Sequence, residues 1–231
     1  MSISDPYPDT VSPANLAWDN QYRIIPSRYP PINFFEDLVD PELMEEVYYL
    51  ESLTNDRLRD EVGDITLVAA EDRVSGDAAT PVMAAFTHIG LESRFSDGRF
   101  GVYYAARTLD TAIAETCYHR TAFLRYTHED PGEIDMRAYI GDVLQPLHDV
   151  RPAVYDYLHE PDNWNPSQAF GATLRQGGSR GLVYRSERDP GGECLVAFTP
   201  RAVSILRQGP HLTYHWNGTA ITAVFEKSRL M

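Results

Sequence analysis

Lysine is nearly missing from this chain: of 20 basic residues, all but Lys227 are arginine. Cysteine is scarce too, with Cys117 and Cys194 far apart and in no ligand-type spacing, which argues against a disulfide framework or a zinc site. No apolar run approaches the roughly 18 residues that a membrane span needs. The stretch Met1 to Asp9 is acidic and proline-containing rather than basic and then apolar, so a soluble, cytoplasmic protein is expected. Neither G-x-G-x-x-G between a strand and a helix nor a G-x-x-x-x-G-K-[ST] loop occurs, and the histidines are scattered without an H-E-x-x-H pair. No metal site is therefore expected. The formal charge of -14 repels a polyanion, so direct nucleic-acid binding is not expected either.

What is present is enough apolar material for one core. With 231 residues, 43% hydrophobic and 11% aromatic, residues 1–231 read as a single domain. An irregular arm covers 1–20, and a helical insertion covers about 36–85. Within that insertion Pro41 to Leu58 carries Leu43, Val47, Leu50 and Leu58 at helical spacing, and Asp64 to Ala69 reads as a short strand. Ala79 to Phe86 fits a helix or a strand equally well. Tyr22 to Ile25 is strand-like and leads into a proline-punctuated extended segment through Phe35.

Further on, Ser93 to Gly98 reads as a turn, Gly101 to Ala106 as a strand, and Leu109 to Arg125 as a helix capped by Thr108. Ser167 to Gln176 is helical and is closed by Gly177-Gly178. Strands are expected at Gly181 to Arg185, Glu193 to Phe198 and Ala220 to Phe225, the first two joined by an Asp189-Pro190-Gly191-Gly192 turn. Hairpins mixed with helices define an α+β fold, a mixed sheet with flanking helices. On the helix Leu109–Arg125, Leu109, Ala112, Ile113, Cys117 and Leu124 share one stripe, and Glu115 projects roughly 130 degrees away from it. Glu115 is thus not a core position of its own helix.

Arg94, Tyr104, Glu115 and Ser186 are the candidates for chemistry. Taken singly, each has an ordinary explanation: a solvated turn arginine, a core tyrosine, a helix surface charge and a turn serine. Their context is more specific. The run from Ser93 to Glu115 (S-R-F-S-D-G-R-F-G-V-Y-Y-A-A-R-T-L-D-T-A-I-A-E) resembles the RES domain pattern of G-R-W, a turn, V-x-Y and an alanine-rich helix start ending in glutamate. Gly181 to Phe198 resembles the G-x-V-Y-x-S-x-R segment of the same family. Arg94 stands ten residues before Tyr104, and Glu115 eleven after it, as in that pattern. The arginine, glutamate and serine of the family's name map to Arg94, Glu115 and Ser186. Two departures are Ser93 and Phe95, where the pattern has glycine and tryptophan; they keep an aromatic wall but change the loop.

The resemblance implies a fold similar to ADP-ribosyltransferase toxins, NAD bound as substrate, and cleavage of its nicotinamide to ribose bond with inorganic phosphate or water as acceptor. It also implies a toxin neutralised by an Xre-type helix-turn-helix antitoxin. The family's upstream arginine is Arg28 or Arg23, with Arg28 preferred for its neighbours Tyr29 to Phe35. In this reading Arg28 and Arg94 clamp the pyrophosphate, and Tyr104 packs against the nicotinamide or ribose. Glu115 stabilises the ribosyl cation or activates water, and Ser186 orients the ligand, by donating to a phosphate oxygen, holding Glu115 or placing an incoming phosphate. His119, Arg188 and Tyr29 stand behind these residues. A protein mono-ADP-ribosyltransferase is the rival reading of the same cleft. A non-enzymatic module whose acidic surface sequesters a basic partner is the other.

Overall fold

The computed structural model describes Val11, residues 13–27 and residues 63–228. Arg28, Tyr29, the proline-punctuated segment after Ser27 and the expected helix Pro41 to Leu58 lie outside the described residues. The described strands are β1 (Pro13–Ala14), β2 (Gln21–Pro26), β3 (Tyr103–Ala106), β4 (Gly132–Gly141), β5 (Leu147–Asp149), β6 (Gly181–Arg185), β7 (Glu193–Ala197), β8 (Arg207–Trp216) and β9 (Ile221–Lys227). They form one sheet in the order β1-β5-β6-β7-β3-β2-β4-β8-β9. Only β5 and β6 pair in parallel, and every other pairing is antiparallel. The three described α-helices are α1 (Thr80–Thr87), α2 (Leu109–Tyr126) and α3 (Asn165–Gln176). A mixed sheet with flanking helices is the α+β class expected.

Side chains alternate across a strand, and here both faces are covered. Tyr103 and Ala105 of β3, with Leu195 and Ala197 of β7, join α1 residues Val82, Met83 and Phe86 in one core cluster. Ala106, Cys194 and Val196 point the other way, into a cluster with Ala112 of α2 and Phe170 of α3. Double coverage is why β6 and β7 read as nearly continuous apolar runs. Burying each large side chain contributes about 1.5–3 kcal/mol, so the sheet is held from both sides.

Several local expectations change. Asp64 to Ala69 is not a strand: the Asp64 side chain accepts from the Thr66 amide at 2.9 Å and from its hydroxyl at 2.6 Å, capping a single 3₁₀ turn over Ile65–Leu67. Ala79 to Phe86 resolves as α1, with Pro81 in its first turn. Pro13 and Ala14, within the arm expected to be irregular, pair with β5. β4 and β8, the two ten-residue strands, have no counterpart among the expected elements. Their apolar positions (Ile134, Met136, Ala138; Leu212, Tyr214, Trp216) alternate with charged or polar ones, which lowers the mean hydropathy while keeping the period of two.

α3 crosses the turn around Phe95 with no room to spare. A Cβ on Gly171 would lie 2.4 Å from the Phe95 carbonyl oxygen and 3.2 Å from its Cβ. Gly171→Ala is therefore expected to lower unfolding stability by about 1–3 kcal/mol through overpacking, despite alanine's better helix propensity. Urea denaturation checks this; a variant as stable as the parent would mean the helix can slide away from Phe95.

Candidate active site

A cleft of about 280 Å³ opens where α2 lies over β2 and β3. Arg94, Tyr104 and Glu115 line it, so the structure brings these three sequence candidates together. Ser186, just beyond β6, meets Glu115 directly, donating from Oγ to Glu115 Oε1 at 2.6 Å. The same hydroxyl accepts from the backbone amides of Arg188 (3.2 Å) and Asp189 (3.0 Å). Its one proton goes to the carboxylate and its lone pairs to the hairpin loop, so Ser186 is a positioning residue for Glu115.

The loop is held against the helix by a second contact. Thr108 caps α2 through the Thr111 amide, and the Thr111 hydroxyl donates to Asp189 Oδ2 at 2.6 Å. Thr111 and Glu115 are one helical turn apart, as are their partners Asp189 and Ser186 three residues apart on the loop. Gly191 makes the turn with a φ of 87°, and a Cβ on Gly192 would lie 2.6 Å from Asp189 Oδ2. Glu115 itself is half-buried. Its other oxygen, Oε2, lies 3.9 Å from His119 Nε2, beyond hydrogen-bond reach.

Tyr104 is a wall of the cleft. Its hydroxyl donates to Ser93 Oγ at 3.0 Å and accepts from the Phe95 amide at 2.9 Å, and burial pushes its pKa up to about 12. It therefore stays protonated and offers its ring. Tyr184 stands edge-on to both Tyr104 and Phe95, with centroids 6.5 Å and 5.0 Å away, and its own hydroxyl pKa is raised, chiefly by burial.

Three arginines reach the cleft. Arg94 Nη1 donates to the carbonyls of Leu158 (3.2 Å) and Glu160 (3.1 Å), and the rest of its fork has no hydrogen-bond partner among the described residues. Arg23 of β2 donates to the Tyr104 carbonyl at 3.0 Å and stacks 4.6 Å from the Tyr103 ring. Its buried Nε has no partner among the described residues, and burial lowers its pKa. Arg188 sits 3.4 Å over the Tyr118 ring. None of the three pairs with a carboxylate among the described residues. Burial, then the neighbouring Arg188, Arg120 and Arg94, lower the His119 pKa against the opposing pull of Glu115. His119 is thus a neutral imidazole near pH 7.

Arg28 is outside the described residues, whereas Arg23 is in the cleft. Arg23 is the alternative that the resemblance to the family pattern offers for the upstream arginine. Glu92 and Trp164 also line the cleft and carried no motif. No group of three or more His, Cys, Asp or Glu side chains gathers as metal ligands among the described residues. No described helix is long and apolar enough to cross a membrane.

The α+β scaffold thus gathers a half-buried carboxylate, an aromatic wall and arginines without a carboxylate partner among the described residues in one cleft, a combination suited to an anionic small molecule. The RES domain model matches residues 70–217, and the chain belongs to the RES domain family. It is 31% identical over 208 residues to the uncharacterized protein y4oC of Sinorhizobium fredii, spanning 90% of this chain and 87% of that protein. A chain of the M. tuberculosis MbcT-MbcA toxin-antitoxin complex aligns with a TM-score of 0.40 and 16% identity, covering 52% of this chain and 69% of that one.

The segment that anchors Arg94 is itself pinned. His159, which is 5% exposed, sits 3.0 Å from the Tyr155 carbonyl through Nδ1 and accepts the Arg185 amide at Nε2, 3.2 Å away. Only a neutral ring with its proton on Nδ1 satisfies both, and burial first of all lowers its pKa from 6.5. The unfolded chain therefore binds the extra proton first, so this contribution is complete above pH 6.5 and is lost as pH falls towards the folded-state pKa, at up to about 1.4 kcal/mol per pH unit. His159→Asn is expected to be less stable than the parent at pH 7.5 by about 1–3 kcal/mol, with the gap narrowing at pH 5.5. Urea titrations of both proteins at the two pH values isolate His159 from His119 and His148, whose pKa values are also lowered. A constant gap would refute the neutral lock.

Proposed function

We propose that this RES domain protein is the toxin of a toxin-antitoxin pair that consumes NAD by breaking the bond between nicotinamide N1 and ribose C1′. The observation that carries the reading is Glu115, held by Ser186 in a cleft whose arginines lack carboxylate partners. NAD joins a pyrophosphate dianion to a cationic ring, and the cleft offers a counter-charge for each.

The free fork of Arg94, with Arg23 and Arg188, takes pyrophosphate oxygens by charge-assisted hydrogen bonds and so fixes the ribose against α2. Tyr104 and Tyr184 give the nicotinamide an apolar wall. As the N1–C1′ bond breaks, its electron pair passes to the pyridinium nitrogen, nicotinamide leaves neutral, and positive charge grows at C1′. Glu115 Oε2 faces that charge, while Oε1 stays on Ser186. A preorganised contact of this kind lowers the barrier by about 3–4 kcal/mol. An acceptor oxygen then bonds C1′: inorganic phosphate yields ADP-ribose 1″-phosphate, and water yields ADP-ribose with release of a proton. The partner proposed is an Xre-type helix-turn-helix antitoxin, whose binding blocks turnover.

Purified protein with NAD, with and without phosphate, tests this by nicotinamide release and identification of the ribosyl product. Glu115→Gln is expected to lower kcat by about 100- to 1,000-fold, and Arg94→Ala to act mainly on KM. Loss of NAD that needs phosphate marks a phosphorylase, loss without phosphate a glycohydrolase, and label transferred to protein a mono-ADP-ribosyltransferase. No nicotinamide release under any condition overturns the proposal.

A further inference from the structure

The cleft does not end at Trp164. A second, more open compartment of about 360 Å³ shares Glu92 and Trp164 with the first and is completed by Asp162, Asn163, Asn165 and Gln168. The two differ in charge. Among the described residues, Arg23, Arg94 and Arg188 line the first, whereas those lining the second include no lysine, arginine or histidine and carry the carboxylates of Glu92 and Asp162.

Arg94 stands at the seam, because its anchor is the carbonyl of Glu160, immediately before the segment 161–165 that walls the second compartment. A pyrophosphate on Arg94 would carry one nucleoside towards Glu115 and the other over Trp164. Glu92 accepts one hydrogen bond among the described residues, from Gln168 Nε2 at 3.3 Å, so its carboxylate keeps capacity for further donors. The side chain of Trp164 lines both compartments, while its indole N–H is buried and has no acceptor among the described residues.

We infer that the second compartment takes the adenosine half of the dinucleotide and rejects a 2′-phosphate, so that Glu92, Asp162 and Trp164 select NAD over NADP. The inference rests on the NAD reading above. A vicinal diol donates two hydrogen bonds to a carboxylate, the contact by which acidic residues recognise an unmodified adenosine ribose in unrelated folds. A 2′-phosphate in the same place brings further negative charge against two carboxylates, with no cation among the described residues that line this compartment, and such like-charge contact discriminates strongly. The indole supplies the flat surface on which a base stacks irrespective of its edge.

The test compares kcat/KM for NAD and NADP by nicotinamide release, in the wild type, Glu92→Gln/Asp162→Asn and Trp164→Ala. The wild type is expected to prefer NAD by about 100-fold or more. The double amide variant is expected to shrink that ratio by about 10-fold or more, through a higher KM for NAD and a lower one for NADP. Trp164→Ala is expected to raise KM for both while retaining kcat. Equal use of the two dinucleotides by the wild type, or an unchanged ratio in the double variant, overturns the inference. If the wild type releases nicotinamide from neither, the NAD-consuming reading fails, and calorimetry decides the compartment separately. There, tighter binding of ADP-ribose than of its 2′-phosphorylated form by about 10-fold or more supports the inference, and equal or absent binding overturns it.

Discussion

Two side-chain hydrogen bonds between one face of α2 and the loop joining β6 to β7 determine where the cleft's carboxylate points. Thr111 to Asp189 fixes the loop, and Ser186 to Glu115 fixes the acid. Without the first, the amides that orient the Ser186 hydroxyl would move; without the second, a half-buried carboxylate would lose its short donor. A charged acceptor left unpaired in such surroundings costs more than a neutral one, since its desolvation is no longer offset. The clamp also explains why the glycine-rich turn contains Gly192, where even a methyl group would collide with Asp189 and Thr111. Local turn chemistry and the placement of a reacting group are here one constraint.

The remainder of the cleft depends on how the sheet handles charge. Both faces of the sheet are covered around β2, so Arg23 has no open solvent face. It is retained by a backbone carbonyl and the Tyr103 ring rather than by an acid, and it keeps an unpaired Nε. Burying a guanidinium without a counter-ion is costly. In a chain of formal charge -14, three cleft arginines without a carboxylate partner among the described residues concentrate positive potential where the surface as a whole is negative. Such a geometry suits the anionic ligand proposed for it. The lowered pKa of His119 is a consequence of the same field, added to its burial.

Much of this was legible in the order of residues. β6, β7 and α2 were readable because their signals are local: an apolar run, a glycine-rich turn, a threonine cap. Arg94, Tyr104, Glu115 and Ser186 were recognisable by spacing, and their convergence follows from β3 and β7 being neighbours although ninety residues of chain separate some of their members. The long strands β4 and β8 were harder, because charged and polar residues occupy alternate positions and Pro210 interrupts the second. The alternation of Ile134, Met136 and Ala138 with Glu133, Asp135 and Arg137 is nonetheless a period of two. What no local pattern carried was Glu92 and Trp164, and nothing local chose Arg23 over Arg28. Their places in the cleft arise from tertiary neighbours: the covered faces of the sheet around β2, and the approach of the segment 158–165 to the turn bearing Arg94.

That segment links stability to the site. The neutral His159 ring ties it to β6, and the carbonyls on either side of His159, those of Leu158 and Glu160, receive Arg94. Arg94 is thus aimed by backbone, not by a carboxylate that a ligand phosphate would have to displace. Backbone carbonyls are fixed dipoles and carry no net charge, so they orient a guanidinium without neutralising it. Glu115 is handled in the complementary way, oriented by a neutral hydroxyl on one oxygen while its charge remains available on the other. Both charges of the proposed site are therefore set by neutral partners, which preserves the field that each exerts across the cleft.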